Sequence, residues 1–220
     1  MNKFPNKGKD DSMVKNKRTV NFGICQGVVR ANPFSPMPGI AMFDVRVKSN
    51  RKNPKTKRYE VHVLNFVARG SVAEEARKTI HDGSIVFLSF HLEERTKVTD
   101  NGVCNFHQER IVDKIIVRSP YEYGAPGYTN HGVLQGKYIG ITKIETAEGI
   151  YDLTIMLNDP EKRSPQHFSF IVYGVLGDSI EKRFVKGQTV LVEYKIEKSK
   201  CTRRDGKVDH FTNLVLEKIV

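Results

Sequence analysis

Apolar and polar residues alternate along many short segments of this chain. In residues 43–48 the apolar Phe43, Val45 and Val47 are separated by charged residues, and residues 190–196 have the same two-residue period. This period is typical of a β-strand with one buried and one exposed face. The pairs Asn101-Gly102 and Asp205-Gly206 are signals of tight hairpin turns between such strands. The chain is therefore predicted to consist mostly of β-strands.

The alternating segments fall into two sets of five, each with a helix between the third and fourth strands. The first set is predicted at residues 20–30, 40–48, 57–68, 84–93 and 104–118, with a helix at 71–80. Ser71 is its expected N-cap, with Glu74 as the capping-box partner. The second set is predicted at residues 133–144, 150–158, 167–173, 189–198 and 208–220, with a helix at 178–184.

The two sets are similar in sequence as well as in pattern. With an offset of 104 residues, Gly83 coincides with Gly187 and the first hairpin turn coincides with the second. Near the start of each set, the segment Cys25-Gln-Gly27 matches Leu134-Gln-Gly136. Matches that keep their order over both halves indicate an internal repeat of one structural unit.

Five strands with a helix after the third is the element order of the OB-fold, a small Greek-key barrel. The predicted fold class is all-β, with two tandem five-stranded OB-fold barrels and one short helix per domain. The predicted domains are residues 19–118 and 131–220. Residues 119–130, which include two prolines and two glycines, are expected to form a linker, and the lysine-rich residues 1–18 a disordered basic tail.

Charge indicates a polyanionic partner. The 220 residues carry a net charge of +11, of which residues 19–118 contribute +6 and residues 131–220 contribute +2. No apolar run reaches the roughly 20 residues of a membrane span, and the N-terminus has no apolar signal segment. The three cysteines form no CxxC pair, which argues against disulfides and zinc. We therefore expect a cytoplasmic protein without membrane contact.

Catalytic motifs are absent from the sequence. It contains no P-loop, no HExxH and no nucleophile elbow, and its seven histidines show no metal-ligand spacing. We expect a protein that is not an enzyme and that needs no cofactor or metal.

Both halves resemble the bacterial and phage single-stranded-DNA-binding (SSB) proteins. The matching residues are Tyr173-Gly174 with Leu176 and Val185-Lys186-Gly187 with Val190 in the second half, and Phe43, Phe66, Val72-Ala73-Glu74, Asp82-Gly83 and Val86 in the first. The resemblance covers about residues 19–118 and 131–220. Members of the family usually end in an acidic-tipped tail that recruits partners, whereas this sequence ends in its last predicted strand. It is thus expected to recruit partners elsewhere or only to coat DNA, as a phage or mobile-element version would.

The resemblance implies sequence-nonspecific binding and protection of single-stranded DNA in replication, recombination or DNA transfer. Family members commonly assemble four OB-folds, so a homodimer of this chain would supply four; a monomer is the alternative. An OB-fold module that binds RNA or another protein is the competing interpretation of function.

Candidate binding residues come from both charge and the resemblance. Seven cations, with no acidic residue among them, lie in the predicted loop between strands two and three: Arg46, Lys48, Arg51, Lys52, Lys55, Lys57 and Arg58. A second basic group lies in the last hairpin: Lys198, Lys200, Arg203, Arg204 and Lys207. Lys97 occupies the hairpin position that carries an aromatic residue in the family. The first half, with the denser cluster, is expected to dominate binding.

Aromatic residues are divided between a core and an exposed face. The family's base-stacking residue of strand three falls on Phe66 and Tyr173, and one at the start of that strand falls near Tyr59 and His167. Phe66, Tyr173 and Phe87 are placed on the face opposite the core, where bases could stack. The aromatic residues assigned to the core are Phe43, Phe90, Tyr151, Phe168, Phe170 and Tyr194.

Overall fold

The computed structural model describes residues 19–52, 56–98, 104–118, 128–160, 162, 164–202 and 206–220. Residues 50–52, 96–98, 104–106, 201 and 202 are described by their backbone alone. The described residues form ten strands and two helices: β1 (Asn21–Val29), β2 (Ile40–Lys52), β3 (Tyr59–Arg69), α1 (Gly70–Thr79), β4 (Ile85–Val98), β5 (Cys104–Arg118), β6 (Thr129–Lys143), β7 (Ile150–Leu157), β8 (Gln166–Tyr173), α2 (Val175–Arg183), β9 (Thr189–Thr202) and β10 (Val208–Ile219). The prediction of an all-β fold is confirmed. Neither helix is long and apolar enough to span a membrane.

Hydrogen bonds close the strands into two five-stranded circuits. In the first, which we call barrel one, β1 pairs with both β2 and β4, β2 pairs with β3, and β5 lies between β3 and β4. In barrel two, β6 to β10 are joined in the same order. Each helix follows the third strand, as the OB-fold order requires. That residues 19–118 and 131–220 are separate domains stays a prediction.

Several element boundaries differ from those predicted. Strands β2, β4 and β9 continue beyond their predicted ends to Lys52, Val98 and Thr202, because the strand pairing continues into the hairpins. The basic cluster of barrel one therefore lies largely on strands rather than in a loop. The predicted Ser71 cap is wrong: helix α1 begins at Gly70 and no side chain caps it. Strand β6 begins at Thr129, within the predicted linker.

An aromatic cluster fills the centre of barrel one. The rings of Phe43 and Phe66 are stacked at 6.2 Å, and Phe90 meets Phe66 edge-on at 5.4 Å. In barrel two, Phe170 and Tyr194 lie 5.5 Å apart. All six aromatic residues assigned to the core are buried, which confirms that assignment.

The placement of Phe66 on the exposed face is wrong, since its side chain is 0% exposed. Phe66 is the direct cross-strand partner of Phe43, and directly paired residues face the same side of a sheet. The residue equivalent to Phe66 in barrel two is Phe170, because each contacts the core aromatic of the fourth strand. The sequence comparison had matched Phe66 with Tyr173, which has the opposite parity, and such a shift changes the face of the sheet.

The two barrels are joined through β1 and β6, which pair antiparallel from Asn21↔Leu134 to Gln26↔Thr129. Gly23 is directly paired with Gly132, so a pseudo-twofold axis passes between these glycines. The strands β5, β4, β1, β6, β9 and β10 thereby form one continuous sheet. Since both glycines face the barrel interiors, both cores lie on the same side of this sheet.

A repeated side-chain clamp follows the same pseudosymmetry. The Asn21 amide donates to the carbonyl oxygen of Leu92 at 2.8 Å, and the Leu92 N–H donates to Asn21 Oδ1 at 3.0 Å. Asn130 makes the same two bonds to Ile196, with the Ile196 N–H at 3.2 Å from Asn130 Oδ1. Each asparagine side chain thus makes the two hydrogen bonds that a paired backbone residue would make, beyond the last backbone pair between its own strand and the hairpin strand.

Candidate nucleic-acid interface

The pseudo-twofold axis creates two junctions where a hairpin of one barrel meets the other barrel. At the first junction, β3 approaches β9, and the Lys198 N–H donates to His62 Nδ1 at 3.1 Å. At the second, β4 approaches β8, and the His167 N–H donates to Glu94. The two junctions are equivalent in backbone architecture but differ sharply in charge.

Strands of both barrels bring cations to the first junction, where Lys48 of barrel one and Lys195 and Glu197 of barrel two line the same groove. Arg46 and Lys48 lie on the exposed side of β2, Lys57 and Arg58 precede β3, and the β9–β10 hairpin contributes Lys198, Lys200 and Lys207. We call these seven residues the cationic face. Within the described part of the chain, Arg46, Lys48, Arg58, Lys198 and Lys200 form no ion pair with a carboxylate. The two basic clusters, separated by more than a hundred residues in sequence, are thus brought together by the fold.

Two exposed tyrosines border the cationic face. Lys48 Nζ lies 4.7 Å from the ring centroid of Tyr59 and 5.8 Å from that of Tyr128. The rings remain 43% and 37% exposed. A cation over an aromatic ring gains roughly 0.5–1 kcal/mol at an exposed site, which holds both rings beside the lysine. Tyr128 was missed by the sequence analysis, although a Pro/Gly segment with three tyrosines is an unusual linker.

The exposed side of the β2–β3 ladder continues away from Tyr59. Arg46 is paired with Val63 and Lys48 with Val61, whose side chain is 58% exposed. At the far end, Phe34 exchanges two backbone hydrogen bonds with Met42, at 2.8 and 2.7 Å, and is 67% exposed. This surface alternates cations with exposed apolar side chains. Phe34 was also missed, and its position between prolines in a predicted loop gave little signal.

The other predicted aromatic residues lie away from the cationic face. Phe87 is on the outer surface of β4, between Gln26 of β1 and Ile116 of β5. Tyr173 is 39% exposed at the far end of β8, the strand that forms the second junction, and lies about 20 Å along that strand from His167. Lys55, Arg203 and Arg204 lie outside the described residues, and the side chains of Arg51, Lys52 and Lys97 lie outside them as well.

His62 lies beneath the cationic face and is 6% exposed. Burial lowers its pKa more than the nearby carboxylates of Glu197 and Glu60 raise it, so the ring is neutral at pH 7. Because Nδ1 accepts the Lys198 N–H, the ring proton is on Nε2, which is buried without a hydrogen-bond partner. The neutral histidine thus joins the two barrels without adding a negative charge to the cationic face.

The second junction is occupied by paired carboxylates. Glu93 bonds Arg69 at 2.7 Å and Lys162 of barrel two at 2.6 Å, and Glu109 bonds Arg69 and Arg95, both at 3.2 Å. Partial burial would raise the pKa of Glu93, but the hydrogen bonds from Lys162 and Arg69 outweigh it and lower the pKa to about 2. This junction is thus a network of ion pairs, whereas five cations of the first junction form no ion pair with a carboxylate of the described residues.

Comparisons with known proteins identify the fold. No protein-family model and no curated protein sequence matches this chain. Among solved structures, the wild-type single-stranded DNA binding protein from Thermus aquaticus matches with a TM-score of 0.66 and 16% identity, covering 92% of this chain and 93% of that one. A deletion mutant of the same protein matches with a TM-score of 0.67 and 15% identity, covering 92% and 94%. The likeness extends over both barrels and shows a shared fold.

Proposed function

We propose that this protein binds single-stranded DNA without sequence preference through the cationic face. The observation that carries the proposal is the convergence of cations from the β2–β3 and β9–β10 hairpins. Within the described part of the chain, five of them form no ion pair with a carboxylate: Arg46, Lys48, Arg58, Lys198 and Lys200. The Thermus aquaticus structures that share the fold are described as single-stranded DNA binding proteins.

The chemistry of the face suits a single strand better than a duplex. Unpaired lysines and arginines attract phosphates and release counterions from the strand. Tyr59, Tyr128 and Phe34 offer aromatic faces on which unpaired bases can stack, at roughly 1–3 kcal/mol per base and with little dependence on sequence. In a duplex the bases are already stacked, so only the phosphate contacts would remain.

The test removes three cations of the face together. In the Arg46→Met/Lys48→Met/Arg58→Met variant we expect oligothymidylate affinity to fall roughly tenfold or more at low salt. The slope of log affinity against log salt should decrease by about 2, because each phosphate contact on a single strand contributes about 0.7. Fluorescence anisotropy at several salt concentrations measures both quantities.

The matched control is Lys137→Met/Lys143→Met/Lys182→Met, which removes three cations from barrel two outside the face. It should change the affinity and the slope little. Equal effects of the two triple variants would show that net charge alone governs binding. Equal affinity for oligothymidylate and duplex DNA, or a stronger affinity for oligouridylate, would overturn the proposal in favour of another nucleic acid.

The biological role that we propose is coating and protection of single strands in replication, recombination or DNA transfer. Bound protein should then shield a single strand from a single-strand-specific nuclease at saturating concentration. The cationic-face triple variant should lose this protection at the same concentration. Unchanged protection by that variant would contradict the role of the face.

We further propose a homodimer that brings four barrels together. Its support is the outer surface of the six-stranded sheet, where Phe22 is 49% and Ile116 is 41% exposed and Phe87 is partly exposed between their strands. Sedimentation equilibrium should give twice the chain mass, and Phe22→Glu/Ile116→Glu should give the monomer. The control Met37→Glu, at another exposed apolar residue, should leave the dimer intact. A wild-type monomer would exclude this assembly.

A further inference from the structure

A large cleft opens at the second junction, between the β4–β5 hairpin of barrel one and the outer side of β8 and β10. Its volume is about 770 Å³, within the range of roughly 300–1,000 Å³ that is typical of small-ligand sites. The residues relevant here are His107 and Arg110 of barrel one and His167, Ser169, His210 and Phe211 of barrel two. The cleft exists only because the two barrels are joined.

Arg110 is the unusual residue of this cleft. It is 8% exposed, and its Nε donates to the carbonyl oxygen of Asn65 at 2.7 Å. Among the described residues it forms no ion pair with a carboxylate. Burial lowers the pKa of this guanidinium, and the more distant carboxylates of Glu109 and Asp44 oppose that effect only in part. A buried cation that no carboxylate contacts directly is costly, and an anion in the cleft would compensate it.

The fold itself does not require an arginine here. The register pairs Arg110 with Leu92 in barrel one, and it pairs Leu214 with Ile196 at the equivalent position of barrel two. Leu214 is 2% exposed and packs in the core. In barrel two the equivalent position is therefore occupied by a buried apolar side chain. The charge at this position thus distinguishes barrel one from barrel two.

The carboxylates near the cleft are already engaged. Glu94 is the one carboxylate among the described residues that line it, and it accepts the His167 backbone N–H. Glu93 and Glu109 are held by Arg69, Arg95 and Lys162. The imidazoles of His107, His167 and His210 can donate hydrogen bonds, and Phe211, which is 49% exposed, offers an aromatic face.

We propose that this cleft binds one nucleotide, with its phosphate at Arg110 and its base against Phe211. The inference rests on the proposed function, since the nucleotide could belong to the bound strand. The β9–β10 hairpin links the two surfaces: His210 in the cleft is the cross-strand partner of Lys200 on the cationic face. The same phosphate and base chemistry would also admit a free mononucleotide, and the experiment distinguishes these sources.

The experiment titrates the full chain with thymidine monophosphate, inorganic phosphate and oligothymidylate. Calorimetry gives the affinities, and the imidazole NMR signals of His107, His167 and His210 report occupation of the cleft. We expect thymidine monophosphate to shift these signals and inorganic phosphate to bind more weakly, because it lacks the base. Arg110→Met should weaken the mononucleotide at least about tenfold, since a hydrogen bond to a charged group is lost. The control Arg183→Met, on helix α2, should have no effect.

The source of the nucleotide follows from competition. If oligothymidylate shifts the same imidazole signals and displaces the mononucleotide, the cleft holds a nucleotide of the strand. If only the mononucleotide shifts them, the cleft holds a free nucleotide. The cationic-face triple variant should still bind the mononucleotide, which separates this inference from the proposed function. Failure of wild-type protein to bind oligothymidylate would contradict the proposed function but not the binding of a mononucleotide in the cleft.

Two results would overturn the inference. One is the absence of imidazole shifts with both the mononucleotide and the oligonucleotide on wild-type protein, a measurement that needs no variant. The other is an unchanged mononucleotide affinity in Arg110→Met. If Arg110→Met does not fold, Arg110→Lys is the second variant. It keeps the charge but loses the planar guanidinium group, and it should bind the mononucleotide with intermediate affinity.

Discussion

Gly23 and Gly132 face each other across the β1–β6 ladder, and an aromatic ring lies against each of them. A Cβ atom added to Gly23 would lie 2.3 Å from Phe90 Cζ, and one added to Gly132 would lie 2.2 Å from Tyr194 Cζ. The absence of side chains at this pair lets the core aromatics of both barrels approach the strands that join them. The same two glycines thus serve core packing and barrel association.

Gly23→Ala and Gly132→Ala should therefore both destabilise the protein. Overpacking against a ring within a filled core costs roughly 1–3 kcal/mol, and here both the ring and the joining ladder would have to shift. Urea unfolding followed by circular dichroism measures the change. The control is Gly140→Ala in the same strand β6, where an added Cβ would meet no atom within 4 Å. Equal stability of Gly23→Ala and Gly140→Ala would contradict the packing argument.

The asparagine clamps give a second prediction about barrel association. Asn21→Ala leaves the backbone N–H and carbonyl of Leu92 without their side-chain partner, and Asn130→Ala does the same at Ile196. Each substitution should lower the free energy of unfolding by roughly 1–3 kcal/mol, the cost of unpaired polar groups in a partly buried site.

Thermal or urea unfolding of the two single variants and the double variant measures these effects. The clamps share no residue, so the losses should add within about 0.5 kcal/mol. Asn158→Ala, at an exposed asparagine, is the control and should be nearly neutral. A neutral Asn21→Ala would mean that solvent replaces the clamp.

Strands and helices could be predicted from the sequence because they depend on the preferences of neighbouring residues. Strand β5 was predicted with its observed bounds, since alternation and a hairpin turn delimit it. Gly83 and Gly187, matched in the repeat, both have positive φ, at 82° and 88°, just before β4 and β9. Such a backbone conformation favours glycine, which explains its presence at both positions.

Long-range pairing explains what the sequence could not show. The burial of Phe66 depends on its register with Phe43, and matching it with Tyr173 instead of Phe170, an odd shift of three residues, exchanged the faces. The union of the two basic clusters depends on the β1–β6 ladder, which no local pattern encodes. The same ladder creates the cleft at Arg110, a residue that resembles any other strand cation in the sequence.

The carboxylate junction makes acid stability depend on Glu93. Its pKa is held at about 2 in the folded protein, against an ordinary value of 4.5, so the folded state favours the ionised form. A lowered pKa contributes stability that is present above pH 4.5 and is lost as the pH falls from there toward 2. The contribution is at most roughly 3 kcal/mol.

Glu93→Gln removes the titrating group. The free energy of unfolding of wild type should therefore fall more steeply than that of Glu93→Gln between about pH 5 and pH 2, as measured by urea unfolding at each pH. Glu75→Gln, on the exposed side of helix α1, should follow the wild-type curve. Parallel curves for wild type and Glu93→Gln would show that the Lys162 and Arg69 contacts do not persist in solution.

Tyr59 and Tyr173 have nearly equal exposure, at 43% and 39%, but only Tyr59 lies beside Lys48. This difference separates base stacking from general surface hydrophobicity. Tyr59→Leu should weaken oligothymidylate binding by about tenfold, since the stacking of one base is lost. The salt dependence should stay the same, because no phosphate contact is removed. Tyr173→Leu should leave both quantities unchanged, although the family resemblance had placed Tyr173 at the stacking position.

Anisotropy titrations at several salt concentrations distinguish the outcomes. A loss of affinity in Tyr59→Leu with an unchanged salt slope assigns stacking to the junction of the two barrels. Equal losses in Tyr59→Leu and Tyr173→Leu would instead require a strand path along β8 of barrel two. A reduced salt slope in Tyr59→Leu would mean that the ring acts by positioning Lys48, whose ammonium it holds at 4.7 Å, rather than by stacking on a base.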